Sequence, residues 1–153
     1  MTALEQLLGA LRGIGSLEFT ARSAVPTGWN GSGMGRVDVA TPDPDTVVFT
    51  ESGHWTPAGS GQSIRFNNVF RWTRCDQGRL GLDHLRFGPD QPVHLFELAA
   101  ESPTVWASRA DHECVDDRYS ARLEWRHDVV QVRWSIIGPR KSEDIAYLYR
   151  PTR

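Results

Sequence analysis

The sequence predicts an all-β protein: an antiparallel up-and-down β-barrel of about nine or ten strands with a short N-terminal helix. Three observations carry this. Beyond Gly13, apolar and polar residues alternate with period two, turn signals recur at short intervals, and no long crossover connection separates the runs. Closing many such strands into a ring removes the exposed edges that an open sheet would leave. A two-sheet sandwich is the alternative arrangement of the same strands.

The helix comes first. Thr2 is placed to cap it, Glu5 follows as the capping-box partner, and Leu4, Leu7, Leu8 and Leu11 form one apolar stripe. Gly9 and Gly13 keep the element short, and the end of a barrel is a natural surface for its stripe. The first strand alternates Leu17, Phe19, Ala21, Ser23 and Val25 with Glu18, Thr20, Arg22 and Ala24. The following stretch, Gly28-Trp29-Asn30-Gly31-Ser32-Gly33-Met34-Gly35, precedes no helical pattern, so it reads as a strand entry or bulge rather than a phosphate cradle.

Further along, Ile64, Phe66, Asn68, Phe70 and Trp72 share one face. His84 shares a face with Leu80 and Leu82, and His94 with Phe96 and Leu98. In the run Thr104 to Cys114, the charged Arg109, Asp111 and Glu113 belong in water. Thr104, Trp106, Ser108, Ala110, His112 and Cys114 would then point inward. Tyr119, Ala121, Leu123 and Trp125 form the next inner set, then Val130, Val132, Trp134 and Ile136. Turns are marked at Pro26 to Gly33, Thr41 to Asp45, Pro57 to Gly61, Asp76 to Gly78, Gly88 to Pro92 and His127-Asp128.

Composition bounds the rest. A chain of 153 residues with no linker or charge block reads as a single domain over 1–153, the helix at 2–11 and the barrel at 14–150. A net charge of -2 without a Lys/Arg block argues against nucleic acid as a partner. No apolar run approaches the roughly 18 residues of a spanning helix, and no signal pattern opens the chain, so a cytoplasmic protein without a membrane partner is expected. The two cysteines are too few for a disulfide scaffold or a cysteine-based zinc module. No cofactor fingerprint is present, and a homodimer is compatible with the composition.

A small barrel either fills its interior or holds one small ligand there, so the inward set is the candidate ligand-binding lining. It comprises Asn68, Phe70, Trp72, His84, His94, Phe96, Trp106, His112, Cys114, Tyr119, Trp134 and Tyr149, with Arg140 and Lys141 at the mouth. Each has a plainer reading: an inward histidine bonded to backbone, a tryptophan as core, Cys114 as a small hydrophobe, Arg140-Lys141 as a solvated turn.

The C-terminal half carries a resemblance. The strings His112-Glu113-Cys114-Val115-Asp116-Asp117-Arg118-Tyr119, Trp134-Ser135-Ile136-Ile137-Gly138-Pro139-Arg140-Lys141 and Tyr149-Arg150 resemble a family of small bacterial proteins known as a domain of unknown function. Its pattern is His-x-Cys-x-x-Asp-x-Tyr, then Trp-x-x-x-Gly-Pro-x-Lys, then Tyr-x-Arg. The resemblance implies a lipocalin-like (calycin-type) barrel and no defined reaction. Two departures stand out: Asn68-Val69-Phe70-Arg71-Trp72 replaces an Arg-x-Tyr-x-Trp strand, and Ser142-Glu143 replaces acidic-aromatic residues after the lysine.

Three functions compete on this scaffold. The first is binding of a small apolar or aromatic molecule among Phe70, Phe96, Trp106 and Tyr119. Asn68, His94 and His112 would orient its polar end, and Arg140 or Lys141 would meet a carboxylate. The second is an enzyme, a cyclase, isomerase or hydrolase of specialised metabolism. Its general base would be His112 oriented by Asp117, with Tyr119 or His94 donating to an oxyanion. The third is a metal or haem site through His94, His112 or Cys114.

Overall fold

The computed structural model describes residues 1–25, 30–108, 112–114 and 117–152, with 112–114 described by backbone alone. Helix α1 (Ala3–Arg12) is followed by β1 (Ile14–Ser23), β2 (Gly31–Asp43), β3 (Thr46–Pro57), β4 (Ile64–Cys75) and β5 (Arg79–His84). Then come β6 (Val93–Ser102), β7 (Val105–Ser108), β8 (His112–Cys114), β9 (Asp117–Arg126), β10 (Val129–Gly138) and β11 (Lys141–Pro151). The strands pair antiparallel in meander order, β7 and β8 share one edge of β9, and β11 pairs with β1. The result is a closed ring with ten strand places, as the alternation and turn spacing predict, and closure excludes the sandwich.

The capping box forms as its sequence requires. Thr2 Oγ1 accepts from the Glu5 amide and the Glu5 carboxylate accepts from the Thr2 amide, each at 3.1 Å. Leu4, Leu7, Leu8 and Leu11 are buried, and the helix lies against β2, β3 and β10 at one end of the ring. At about 1.5–3 kcal/mol for each buried leucine, this plug contributes far more than the helix could by its own propensity.

Two strand details depart from simple alternation. The register between β5 and β6 shifts after Leu82, which faces Phe96, so that Asp83 faces His94. Leu95 and Phe96 are both buried, and the extra residue turns His94 onto the outer wall. The expected inward His94 is therefore corrected. The run Thr104 to Cys114 is also two strands rather than one: Ala107 faces Arg122 in β7, whereas His112 faces Tyr119 in β8.

The glycine-rich stretch enters β2 as strand. Gly35 and Gly53 face each other across β2 and β3, and a Cβ on Gly53 would stand 2.1 Å from the Met34 carbonyl oxygen. Only glycine permits that backbone approach.

Candidate functional site

The inner face is built in layers rising from α1. Val47, Trp72, Leu82 and Phe96 stand opposite one another on β3, β4, β5 and β6, and all are buried. Trp106 is buried too, and its Nε1 donates to the Pro103 carbonyl at 3.3 Å. This end of the barrel is filled by side chains.

The next layer sets Phe49 opposite Phe70 and Phe70 opposite His84. The half-buried His84 ring stacks on Phe70 at 4.8 Å and 24°. Burial pulls its pKa down, and the Arg86 charge adds to that, so the imidazole is neutral at neutral pH.

Above it, Glu51 faces Asn68. Glu51 is fully buried, the Tyr149 hydroxyl donates to its Oε2 at 2.7 Å, and its Oε1 has no partner among the described residues. Burial pushes the carboxyl up to about 8, against the opposing pull of the Tyr149 hydrogen bond, so its neutral form dominates near pH 7. Tyr147 stacks on Tyr149 at 5.5 Å with an interplanar angle of 4°. Burial and the neighbouring Glu51 charge push both phenols above their ordinary range. The Trp72 Nε1 is the second buried polar atom of the interior without a partner among the described residues.

Toward the open end the lining loosens. Phe19, Phe66, Tyr119, Trp134 and Ile145 are half-buried. Phe19 meets Phe66 edge-on at 5.3 Å and Tyr147 at 5.7 Å, and Trp134 stacks on Tyr147 at 6.3 Å. Glu143 is buried on the same face of β11 as Tyr147, and Lys141 Nζ lies 3.7 Å from Asp117 Oδ2 at the rim. The inner face thus runs from an enclosed end to a less buried, aromatic end bordered by Glu143, Lys141 and Asp117.

The structure brings Asn68, Phe70, Trp72, His84, Phe96, Trp106, Tyr119, Trp134 and Tyr149 to the inner face, but Trp72, Phe96 and Trp106 belong to the floor. His94 stands outside, where Asp83 Oδ1 meets its Nδ1 at 3.0 Å and Arg71 meets Asp83 Oδ2 at 3.0 Å. That trio borders an outer groove of about 820 Å³ lined by Val48, Val69, Leu85 and Pro89. It cannot join an inward metal set with His112 and Cys114, whose side chains lie outside the described residues. The backbone register places these two opposite Tyr119 and Asp117. Arg140 is exposed in the β10–β11 turn, and Lys141 faces Asp117 instead of standing ready for an anion. No group of three His, Cys, Asp or Glu is disposed to hold a metal among the described residues.

Sequence reasoning missed Glu51. The available signal was parity: in Val47, Phe49, Glu51, Gly53 and Trp55 one carboxylate occupies an otherwise apolar face.

A model for a family of unknown function, DUF6314, matches residues 16–151, and the chain belongs to that family. No curated protein matches it. Among solved structures it is similar to a de novo designed fluorescence-activating β-barrel, at 13% identity and a TM-score of 0.47 over 93% of this chain and 96% of that one.

Proposed function

We propose that this member of DUF6314 binds a small apolar or aromatic molecule in the open half of its barrel. One observation carries the reading: the contrast along the inner face between a floor closed by Val47, Trp72, Leu82 and Phe96 and an upper layer of half-buried rings. A protein stabilised only by packing gains nothing from leaving Phe19, Phe66 and Trp134 partly open, since each would contribute more if fully enclosed. Binding pockets combine such apolar walls with a few oriented polar groups, here Asn68, His84 and Tyr119. A ten-strand ring is also wider than the eight-strand barrels whose interiors side chains just fill.

Trp134 lies in the open half and provides the assay. Titration with a panel of apolar and aromatic compounds, followed by tryptophan fluorescence and melting temperature, is expected to yield saturable quenching with a raised melting temperature. A panel that leaves both unchanged would refute the reading.

A further inference from the structure

The outer wall carries a charged hollow of its own. Across β9, β10, β11 and β1 the register sets two neighbouring rows of outward side chains. One row is Arg122, Arg133, Ala146 and Thr20; the next is Ser120, Ser135, Asp144 and Arg22. The short side chains of Ala146, Ser135 and Ser120 leave a trough of about 660 Å³ between the longer ones. Three arginines and a single carboxylate line it.

The arginines are unequally engaged. Arg122 Nη1 meets Glu101 at 2.8 Å and its Nε meets Glu124 at 3.2 Å. Arg133 stands directly opposite Arg122, a placement in which like charges destabilise a ladder, and it has no ion-pair partner among the described residues. Arg22 has none either; Asp144, opposite it on β11, accepts from Ser135 Oγ at 2.6 Å. A guanidinium with its fork open, beside the Ser120 hydroxyl on the neighbouring strand, is a donor set suited to a tetrahedral oxyanion. No exposed aromatic ring borders the trough among the described residues, so nothing there would stack a nucleic-acid base.

We propose that this trough binds a small phosphate ester with a hydroxyl-bearing body. Arg133 holds the phosphate oxygens and Ser120 donates to them. The body lies over Ala146, where Asp144 accepts from its hydroxyl groups, and Arg22 adds positive field from the far end. The trough is on the opposite face of the wall from the aromatic lining, so it is independent of the small-molecule reading above.

The test titrates glycerol 3-phosphate, inorganic phosphate and glycerol into the intact protein by calorimetry at low ionic strength, where surface charges are least screened. Glycerol 3-phosphate should saturate one site with a Kd below about 1 mM, inorganic phosphate should bind about tenfold more weakly, and glycerol should not bind. Arg133→Gln should weaken the ester at least about tenfold, and Arg133→Lys should recover only part of that, because an ammonium lacks the fork. Arg65→Gln removes the same charge from an exposed position on β4 and should leave the affinity unchanged. Amide chemical shifts, which need no variant, should move on the facing segments of β9, β10 and β11. No saturable binding of the ester, an equal loss with Arg65→Gln, or shifts centred elsewhere would overturn the site. Inorganic phosphate binding as tightly as the ester would overturn the hydroxyl-bearing body and the role of Asp144. Vesicles containing phosphatidic acid separate a lipid headgroup from a soluble ester; tighter binding to them than to glycerol 3-phosphate would overturn the small-ester assignment.

Discussion

Glu51 makes the stability of the protein depend on pH in an unusual direction. Its carboxyl titrates near the ordinary 4.5 when unfolded and near 8 when folded, because burial disfavours the charged form. Between those values the folded state holds a proton that the unfolded chain has released, so stability falls as pH rises. This contribution is fully present below about pH 4.5 and gone above about pH 8. At 1.36 kcal/mol per pKa unit, moving from about pH 5 to about pH 9 removes about 4 kcal/mol, a large share of the 5–15 kcal/mol typical of a domain. Water reaching the carboxyl would lower that figure without changing its sign. Glu51→Gln keeps the shape and the bond from Tyr149 but cannot ionise. Urea unfolding of both proteins across this range is expected to show wild type losing stability relative to the variant as pH rises. Parallel profiles would refute the assignment of Glu51 as a buried titrating group.

The other predictions use the same measurements. Gly53→Ala places a Cβ against the Met34 carbonyl and the Gly35 Cα, both backbone, and should lower stability by about 1–3 kcal/mol in urea unfolding. Thr2→Ala removes the helix cap and should cost about 1 kcal/mol, with Thr2→Ser restoring most of it. Phe49→Ala, in the enclosed layer, should cost about 3–5 kcal/mol, whereas Phe19→Ala in the half-buried layer should cost less. Phe19→Ala should instead weaken aromatic probes about tenfold in fluorescence titration, the effect of about 1.4 kcal/mol of lost contact.

The period-two pattern made most of the barrel legible, because it is imposed directly by the pleat: Phe19, Phe70, Leu123 and Val132 all face inward as their spacing requires. The helix was equally legible, since Thr2, Glu5 and the leucine stripe act within a few residues of one another. His94 was misplaced because one additional residue at Leu95 reverses the faces of a strand, and nothing in its composition marks that bulge. The site was harder still. Glu51 meets Tyr149 only after the ring closes, and a bond between residues so far apart leaves no local trace. The contact of Asp117 with Lys141 spans from β9 across β10 to β11 and likewise leaves no local trace, while the His112 side chain expected beside Asp117 lies outside the described residues.

The seam between β1 and β11 also governs assembly. It joins Ile14 to Pro151 and is the ladder with the greatest sequence separation, while every other ladder joins near neighbours. Hairpins can zip locally as the chain leaves the ribosome, but β1 keeps an unpaired edge until β11 emerges. Tyr147 and Tyr149 reside on that last strand, so the aromatic stack of the inner face and the partner of Glu51 are completed by the same event that removes the final sticky edge. The nascent barrel is therefore most aggregation-prone until its last strand docks.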